Sequence, residues 1–99
     1  MRPLADIRAE INAIDDEIIA LLGRRFALLP EVVTYKRAHD LPAVIPARVE
    51  EVIARNLKTA AAHGLDTHMI ETIYRIIIGA LCAAEESELQ TDAGAPRVS

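Results

Sequence analysis

The sequence predicts an all-α fold of three helices, one long and two medium, and three patterns support this prediction. Apolar residues in the first third of the chain recur at alternating gaps of three and four, which is typical of a packed helix. Proline and glycine mark helix ends at 39–47 and 63–66. No segment alternates apolar and polar residues as a strand would. We expect one helical domain over residues 1–89 and a disordered tail over residues 90–99, which have little to bury.

The long helix is predicted from about Leu4 to Ala38, with one arginine in its apolar stripe. We call this stripe the seam; it consists of Leu4, Ile7, Ile11, Ile14, Ile18, Leu21, Arg25, Leu28, Val32 and Tyr35. Pro30 is expected to kink the helix, because the heptad phase continues past it; a break is the alternative. A helix of this length spans roughly 50 Å, whereas a compact domain of ~100 residues has a radius of gyration of only ~13 Å. The seam therefore predicts an intertwined homodimer that buries it.

Proline, glycine and aspartate mark the ends of the second and third helices. Segment 39–47 is a predicted loop, and Pro46 suits the first turn of the second helix. Gly64 is expected to cap the end of that helix, and Asp66 the start of the third, which is predicted to run to about Leu89. The middle of the third helix, 76–84, is apolar on all sides, so we expect several neighbours to bury it.

Composition excludes several classes of function. The 99-residue chain has a net charge of −4, so it lacks the basic field that nucleic acids or anionic membranes attract. Its single cysteine, Cys82, gives no intramolecular disulfide, and the three histidines form no ligand cluster, so neither metal nor cofactor is expected. No signal peptide or membrane span of ~20 apolar residues is evident. A soluble protein of the reducing cytoplasm is the prediction.

Two cations lie on the apolar face of the long helix. Arg25, Val32 and Lys36 fall within about 20° of one line at ~100° per residue. A desolvated cation is costly without a partner, and no acidic residue is obviously placed to neutralise these two. An anion is therefore expected to face them. Snorkelling of both side chains to solvent is the alternative.

Three further charged residues are candidates for the same site. Glu85 shares a face of the third helix with Ile78 and Leu81, although it is equally an ordinary polar residue at the end of an apolar stripe. Arg48 opens the second helix beside the loop. Arg8 lies about 100° from Arg25 around the long helix, so it reaches the site only from a second chain; a surface ion pair is the alternative. Together these residues describe a pocket for a small, multiply anionic molecule.

The order of these segments resembles a known family. LADIRAEINAIDDEIIALLGRR, then VVTYK, a loop leading to PARV, then HGLD and IYRIIIGALCAAE, is similar to the all-helical chorismate mutases and the related isochorismate-pyruvate lyases of salicylate biosynthesis. The resemblance covers about residues 4–88. It implies an intertwined homodimer with two active sites, each taking Arg8 from one chain and the other groups from its partner. It also implies a dicarboxylate substrate derived from chorismate, no cofactor, and a place in aromatic amino acid biosynthesis.

Roles follow from the resemblance position by position. Arg25 and Arg8 would hold the two carboxylates, and Arg48 would help to close the site. Lys36 would donate a hydrogen bond to the ether oxygen, where negative charge grows as the carbon–oxygen bond breaks. Glu85 would face the same oxygen, and it can donate only when protonated. Val32 and Ile78 would form apolar walls.

Four positions depart from the family pattern. Glu85 stands where typical mutases place a Gln, although some members use Glu. Val49 stands where a Glu commonly holds the ring hydroxyl, Ile45 replaces an Asp of the preceding loop, and Leu81 replaces a Ser. Similar simplification occurs in the lyases and in mutases of 4-amino-4-deoxychorismate. The prediction is chorismate mutase first, rearranging chorismate to prephenate, isochorismate-pyruvate lyase second and 4-amino-4-deoxychorismate mutase third. A silent helical dimer acting as a regulatory module is the non-enzymatic alternative.

Overall fold

A computed structural model describes residues 1–94 of the chain, with side chains through Thr91. The helices are α1 (Leu4–Phe26), α2 (Leu29–Ala38), α3 (Pro46–Ala62) and α4 (Thr67–Gly94), and the described residues contain no strand. The predicted all-α fold is confirmed. The long predicted helix corresponds to α1 and α2 together, and the two medium helices to α3 and α4.

The long helix is interrupted at Ala27 and Leu28. Both residues keep right-handed helical backbone angles, and their N–H groups still donate to the carbonyls of Gly23 and Arg25, at 2.9 and 3.3 Å. Pro30 lies in the first turn of α2, where its ring would clash with the carbonyl four residues earlier, that of Phe26. The regular helix therefore ends at Phe26, and α2 begins after a two-residue helical turn.

The ends of α3 follow the predicted signals. Pro46 opens the helix, after Ile45 in an extended conformation. At the other end Gly64 adopts a φ of 71°, and the Leu65 N–H donates to the carbonyl of Ala60 at 2.9 Å, which closes a glycine cap. The Oδ1 atom of Asp66 then accepts from the His68 N–H at 2.9 Å and caps α4.

Helix α4 is longer and less buried than predicted. It continues to Gly94, past the predicted end at about Leu89; of the predicted disordered tail, residues 95–99 lie outside the described part of the chain. The expectation that 76–84 is buried all round is wrong for a single chain, because Ile76 is 68% exposed while Ile78 is buried. Within the described residues the main packing on α4 comes from α3 and α2, and Ile76 and Ile73 remain exposed on its open side.

Helix α4 also passes a simple test for a membrane span. By length and composition alone, Thr67–Thr91 is apolar enough to cross a bilayer, which the sequence analysis did not anticipate. One such helix is weak evidence for a membrane span, because the mostly buried core helix of a soluble protein passes the same test. In the single chain the apolar window of α4 is not buried as a whole, although the helix packs against α2 and α3 and carries the buried Glu85.

Helix α1 extends away from this small core. None of its residues is buried, and seam positions such as Ile11, Ile14 and Ile18 are about half exposed. The chain measures 63 × 33 × 16 Å, and its radius of gyration of 18.0 Å exceeds the ~13 Å of a compact domain of this length. One chain therefore leaves its longest apolar stripe open to solvent.

Candidate active site

One cavity of about 390 Å³ lies where α2, the loop 39–45, α3 and α4 meet. It brings together eight of the nine residues proposed from the sequence. They come from all four helices: Arg25 at the end of α1, Val32 and Lys36 on α2, Arg48 and Val49 on α3, and Ile78, Leu81 and Glu85 on α4. The ninth, Arg8, does not line it. The cavity therefore combines cations with an apolar wall, as the helical spacing predicted.

Lys36 is held by two acceptors from different parts of the chain. Its Nζ donates to Oε1 of Glu85 at 2.6 Å and to the backbone carbonyl of Ala43 at 2.7 Å. The two side chains are largely buried, at 15% and 10% exposure. The anion facing Lys36 is thus a carboxylate of this chain, which corrects the expectation that no acidic residue of the protein neutralises it. An ion pair at this depth needs such added hydrogen bonds, because both charges have lost water.

Arg25 has no comparable partner. Its guanidinium carbon lies 6.0 Å from the centre of the Tyr74 ring, within range of a cation–π contact. Among residues 1–91, no carboxylate forms an ion pair with it, although its side chain is half-buried. A half-buried arginine that opens into a cavity and lacks a counter-ion is arranged to receive an anion from outside the described chain.

Arg48 and Arg8 differ in their relation to the cavity. Arg48, in the first turn of α3, lines it while its guanidinium pairs with Glu51 at the exposed rim. Arg8 is exposed on α1 and forms no ion pair with the described residues. Its predicted role depends on a second chain, so the structure of a single chain does not test that role.

Six further residues line the cavity: Leu28, Leu29, Ala43, Ile45, Val52 and Cys82. Helical spacing could have predicted most of them, since Leu29 lies one turn before Val32, and Cys82 lies one turn before Glu85. Cys82, which the sequence suggested to be an ordinary core residue, faces the site. Burial, followed by the nearby Glu85 carboxylate, raises the pKa of its thiol, while Lys36 opposes the shift. Ala43 could not have been predicted in this way, because it contributes only its backbone carbonyl.

The cavity is suited to a small molecule with more than one negative charge. Its cations lie near the ends of separate helices, and most of its wall is apolar. A family model described as chorismate mutase type II matches residues 7–86, most of the chain and all eight cavity residues above. The chain belongs to the chorismate mutase type II family. The same match includes Arg8, the cation that the single chain leaves outside the cavity.

Relatives of this chorismate mutase domain fall into two groups. A 4-amino-4-deoxychorismate mutase of Streptomyces venezuelae is 35% identical over 83 residues, covering 84% of this chain and 81% of that protein. One from Streptomyces pristinaespiralis is 33% identical over 94 residues, covering 95% of this chain and 72% of that protein. The bifunctional chorismate mutase/prephenate dehydratase of Escherichia coli K12 is 31% identical over 88 residues, but these cover only 23% of that protein. The first group matches along most of both chains.

Proposed function

We propose that this chain catalyses the rearrangement of a chorismate-type enolpyruvyl ether, with chorismate to prephenate as the primary reaction. The observation that carries the proposal is the convergence of Arg25, Lys36, Arg48 and Glu85 on one cavity with apolar walls. In such a rearrangement one carbon–oxygen bond breaks while one carbon–carbon bond forms within the same molecule. The protein has to fold the substrate and stabilise charge, and it needs no nucleophile.

The arginines supply the binding and orientation. Arg25, without a carboxylate partner in the described chain, is available for bidentate contact with one substrate carboxylate. Arg8 of a second chain is proposed to hold the other carboxylate. Arg48 stands at the rim, where it can leave Glu51 and help to close the site over the substrate at little cost, because exposed ion pairs are weak. Fixing both carboxylates holds the enolpyruvyl arm over the ring, which removes much of the entropic part of the barrier.

Lys36 supplies the electrostatic part. An ammonium group has three N–H donors, and Glu85 and Ala43 accept two of them. The third is left for the ether oxygen, on which negative charge grows in the transition state. A donor that is already oriented in a site shielded from water stabilises that charge without reorganisation. Glu85 fixes the position of Lys36, and in its protonated form it can itself donate to the oxygen.

A second copy of the chain is part of the proposal. The exposed seam of α1 and the open face of α4 are both apolar, and an interlocked dimer would cover them. The same dimer would bring Arg8 of one chain towards the cavity of the other, where it would face the second carboxylate. The proposed homodimer therefore accounts for the unburied helix and for an arginine without a partner.

The substrate is less constrained than the reaction. Near-full-length relatives named 4-amino-4-deoxychorismate mutases make that compound the second candidate, ahead of cleavage of isochorismate to salicylate. The wall formed by Ile45, Val49 and Leu81 offers no side-chain hydrogen bond to a ring substituent. An apolar wall discriminates poorly between substituents of similar size. The chain would then serve aromatic amino acid synthesis or a route from the amino analogue, in the cytoplasm.

We expect purified protein to rearrange both chorismate and 4-amino-4-deoxychorismate, with kcat/KM values within about 10²-fold of each other, since no polar wall group selects between them. Separate incubations with these compounds and with isochorismate, followed by product identification, measure this. Pyruvate release from isochorismate alone would show a lyase instead. Turnover of none, without binding of a bicyclic dicarboxylate transition-state analogue, would identify a silent regulatory module.

Replacing Lys36 by Ala should lower kcat by roughly 10²–10³-fold, the usual loss for one preorganised donor. Because this also leaves Glu85 buried without its partner, Lys36→Gln is the companion variant: its amide can still donate to the carboxylate but carries no charge. Lys58→Ala, on the exposed side of α3, is the control and should retain full turnover. Normal kcat in a folded Lys36→Gln variant would contradict the electrostatic role.

Replacing Glu85 by Gln tests the donor at the second position beside the ether oxygen. An ionised carboxylate only accepts hydrogen bonds, whereas the amide keeps the shape of the side chain and can donate to the ether oxygen. The variant should therefore retain turnover. Glu86→Gln, exposed on the adjacent residue, is the control and should match the wild type. Loss of turnover in a folded Glu85→Gln variant would show that the reaction requires the negative charge of Glu85 and not a donor at this position.

The dimer should be visible by sedimentation at micromolar concentration as twice the chain mass. Ile18→Asp, which places a charge in the seam, should dissociate it, because a buried unpaired carboxylate is costly. Ile19→Asp, at the neighbouring position off the seam and 66% exposed, is the matched control and should leave the dimer intact. A folded wild-type monomer would remove the proposed role of Arg8.

A further inference from the structure

The loop 39–45 contacts Lys36 through a backbone atom rather than a side chain. The carbonyl oxygen of Ala43 lies 2.7 Å from Nζ of Lys36, and Ala43 is the buried residue of the loop, at 9% exposure. Since alanine has no functional group, the contact is invisible in the residue type. Its hydrogen bond to the ammonium group is nevertheless direct and about as long as the one that Glu85 accepts.

The second acceptor restricts the orientation of the Lys36 ammonium group. Lysine carries its charge on a flexible four-carbon chain, so a single contact with Glu85 leaves the ammonium group free to turn about that contact. Acceptors on α4 and on the loop together fix the nitrogen and two of its three N–H directions. The remaining N–H then has one orientation, and the candidate site is one of the two cavities that Lys36 lines.

The loop is built to present this carbonyl. At the end of α2 the Leu41 N–H donates to the carbonyl of Lys36 at 2.8 Å, and the Asp40 N–H to that of Arg37 at 3.4 Å. This is a Schellman cap, with Asp40 in the left-handed region at a φ of 55°. Asp tolerates that conformation better than most residues with a β-carbon. The turn reverses the chain so that Ala43 comes back onto the helix it has just left.

Two prolines restrict the rest of the loop. Pro42 has a fixed φ and disfavours a helical conformation at Leu41, and Pro46 has the same effect on Ile45, which is extended at φ −117° and ψ 98°. Few conformations are therefore open to the segment that carries Ala43. A loop of this kind holds an atom in place with little entropic cost on folding.

Packing holds the loop at Ala43, which is buried, and leaves Leu41 and Val44 exposed. A second cavity, of about 470 Å³, lies against Leu41, Pro42 and Val44, and Lys36 and Ala43 line both cavities. The loop is thus a wall between two cavities. The burial of Ala43, its hydrogen bond to Lys36 and the backbone conformation of the loop together keep it there.

We propose that the loop 39–45 is a positioning element for Lys36, in which the Asp40 turn and Pro42 hold the Ala43 carbonyl against the ammonium group. The loop thereby aims the third N–H of Lys36 into the cavity. This proposal rests on the proposed function of Lys36 as the donor to the ether oxygen. The second acceptor is an orientation device, so its loss should reduce kcat while leaving substrate binding by the arginines in place.

Variants at Asp40 test the turn. Asp40→Val places a β-branched residue at positive φ and should lower kcat about tenfold with KM changed less than about twofold, while Asp40→Gly and Asp40→Asn, which accept this φ, should keep wild-type kcat. Equal kcat for all three variants would overturn the proposal. If Asp40→Val fails to fold, the following substitution decides.

Replacing the peptide bond between Ala43 and Val44 by an ester weakens the Ala43 carbonyl as an acceptor and changes no side chain. The Val44 N–H that it removes makes no hydrogen bond among the described residues. An ester between Leu65 and Asp66, in the turn before α4 and outside the cavity, is the control, because neither group it alters is hydrogen-bonded among the described residues. A loss of kcat of about tenfold in the first ester alone is expected, in line with one hydrogen bond to a charged group. Equal kcat for both esters would overturn the proposal.

A measurement without substrate separates this proposal from the proposed function. The ammonium protons of Lys36 should exchange slowly enough for detection by nuclear magnetic resonance in the wild type and the control ester, and be lost in the Ala43 ester. Wild-type protein that shows these protons but turns over no substrate would refute the function and leave the positioning intact. Persistence of the protons in the Ala43 ester would refute the positioning itself.

Discussion

The contact between Lys36 and Glu85 connects the parts of this small protein. It joins residues that are 49 positions apart on α2 and α4, at 2.6 Å and largely out of water. Such a pair is stable only when both charges are further satisfied, and the Ala43 carbonyl does this for the lysine. Helix packing, the loop and the cavity therefore depend on one another, and the cation that the chemistry requires is already held in position.

Elsewhere in the single chain, two arginines lack ion-pair partners among the described residues, and an apolar surface lacks a covering partner. Arg25 opens into the cavity without a carboxylate partner among the described residues, Arg8 lies on a helix that packs on little, and the apolar seam is exposed. The proposed dicarboxylate ligand would supply the missing charges, and the proposed second chain would supply the missing apolar surface. Both follow from the same physical rule, that desolvated charge and exposed apolar surface are costly unless they are matched.

The sequence predicted what depends on helical period and failed where other information was needed. The spacing of Arg25, Val32 and Lys36, and of Ile78, Leu81 and Glu85, was enough to place them on the faces that meet. The pairing of Lys36 with Glu85 was missed. Helical periodicity shows on which face of its helix a residue lies, but it does not show how far one helix is shifted along the other. Ala43 could not be found, since a backbone carbonyl has no residue type. The extent of α4 was underestimated because the apolar pattern stops before the helix does.

The account depends most on the claim that one anion site is assembled from two chains. Arg8→Ala and Arg25→Ala proteins should each be nearly inactive, since each removes a carboxylate contact from both sites of a dimer. Unfolded together and refolded, they form mixed dimers in which one site has both arginines and the other has neither. The mixture should then regain about a quarter of the wild-type turnover, because half of the dimers are mixed and each has one intact site. A mixture no more active than the mean of the two variants would contradict the account.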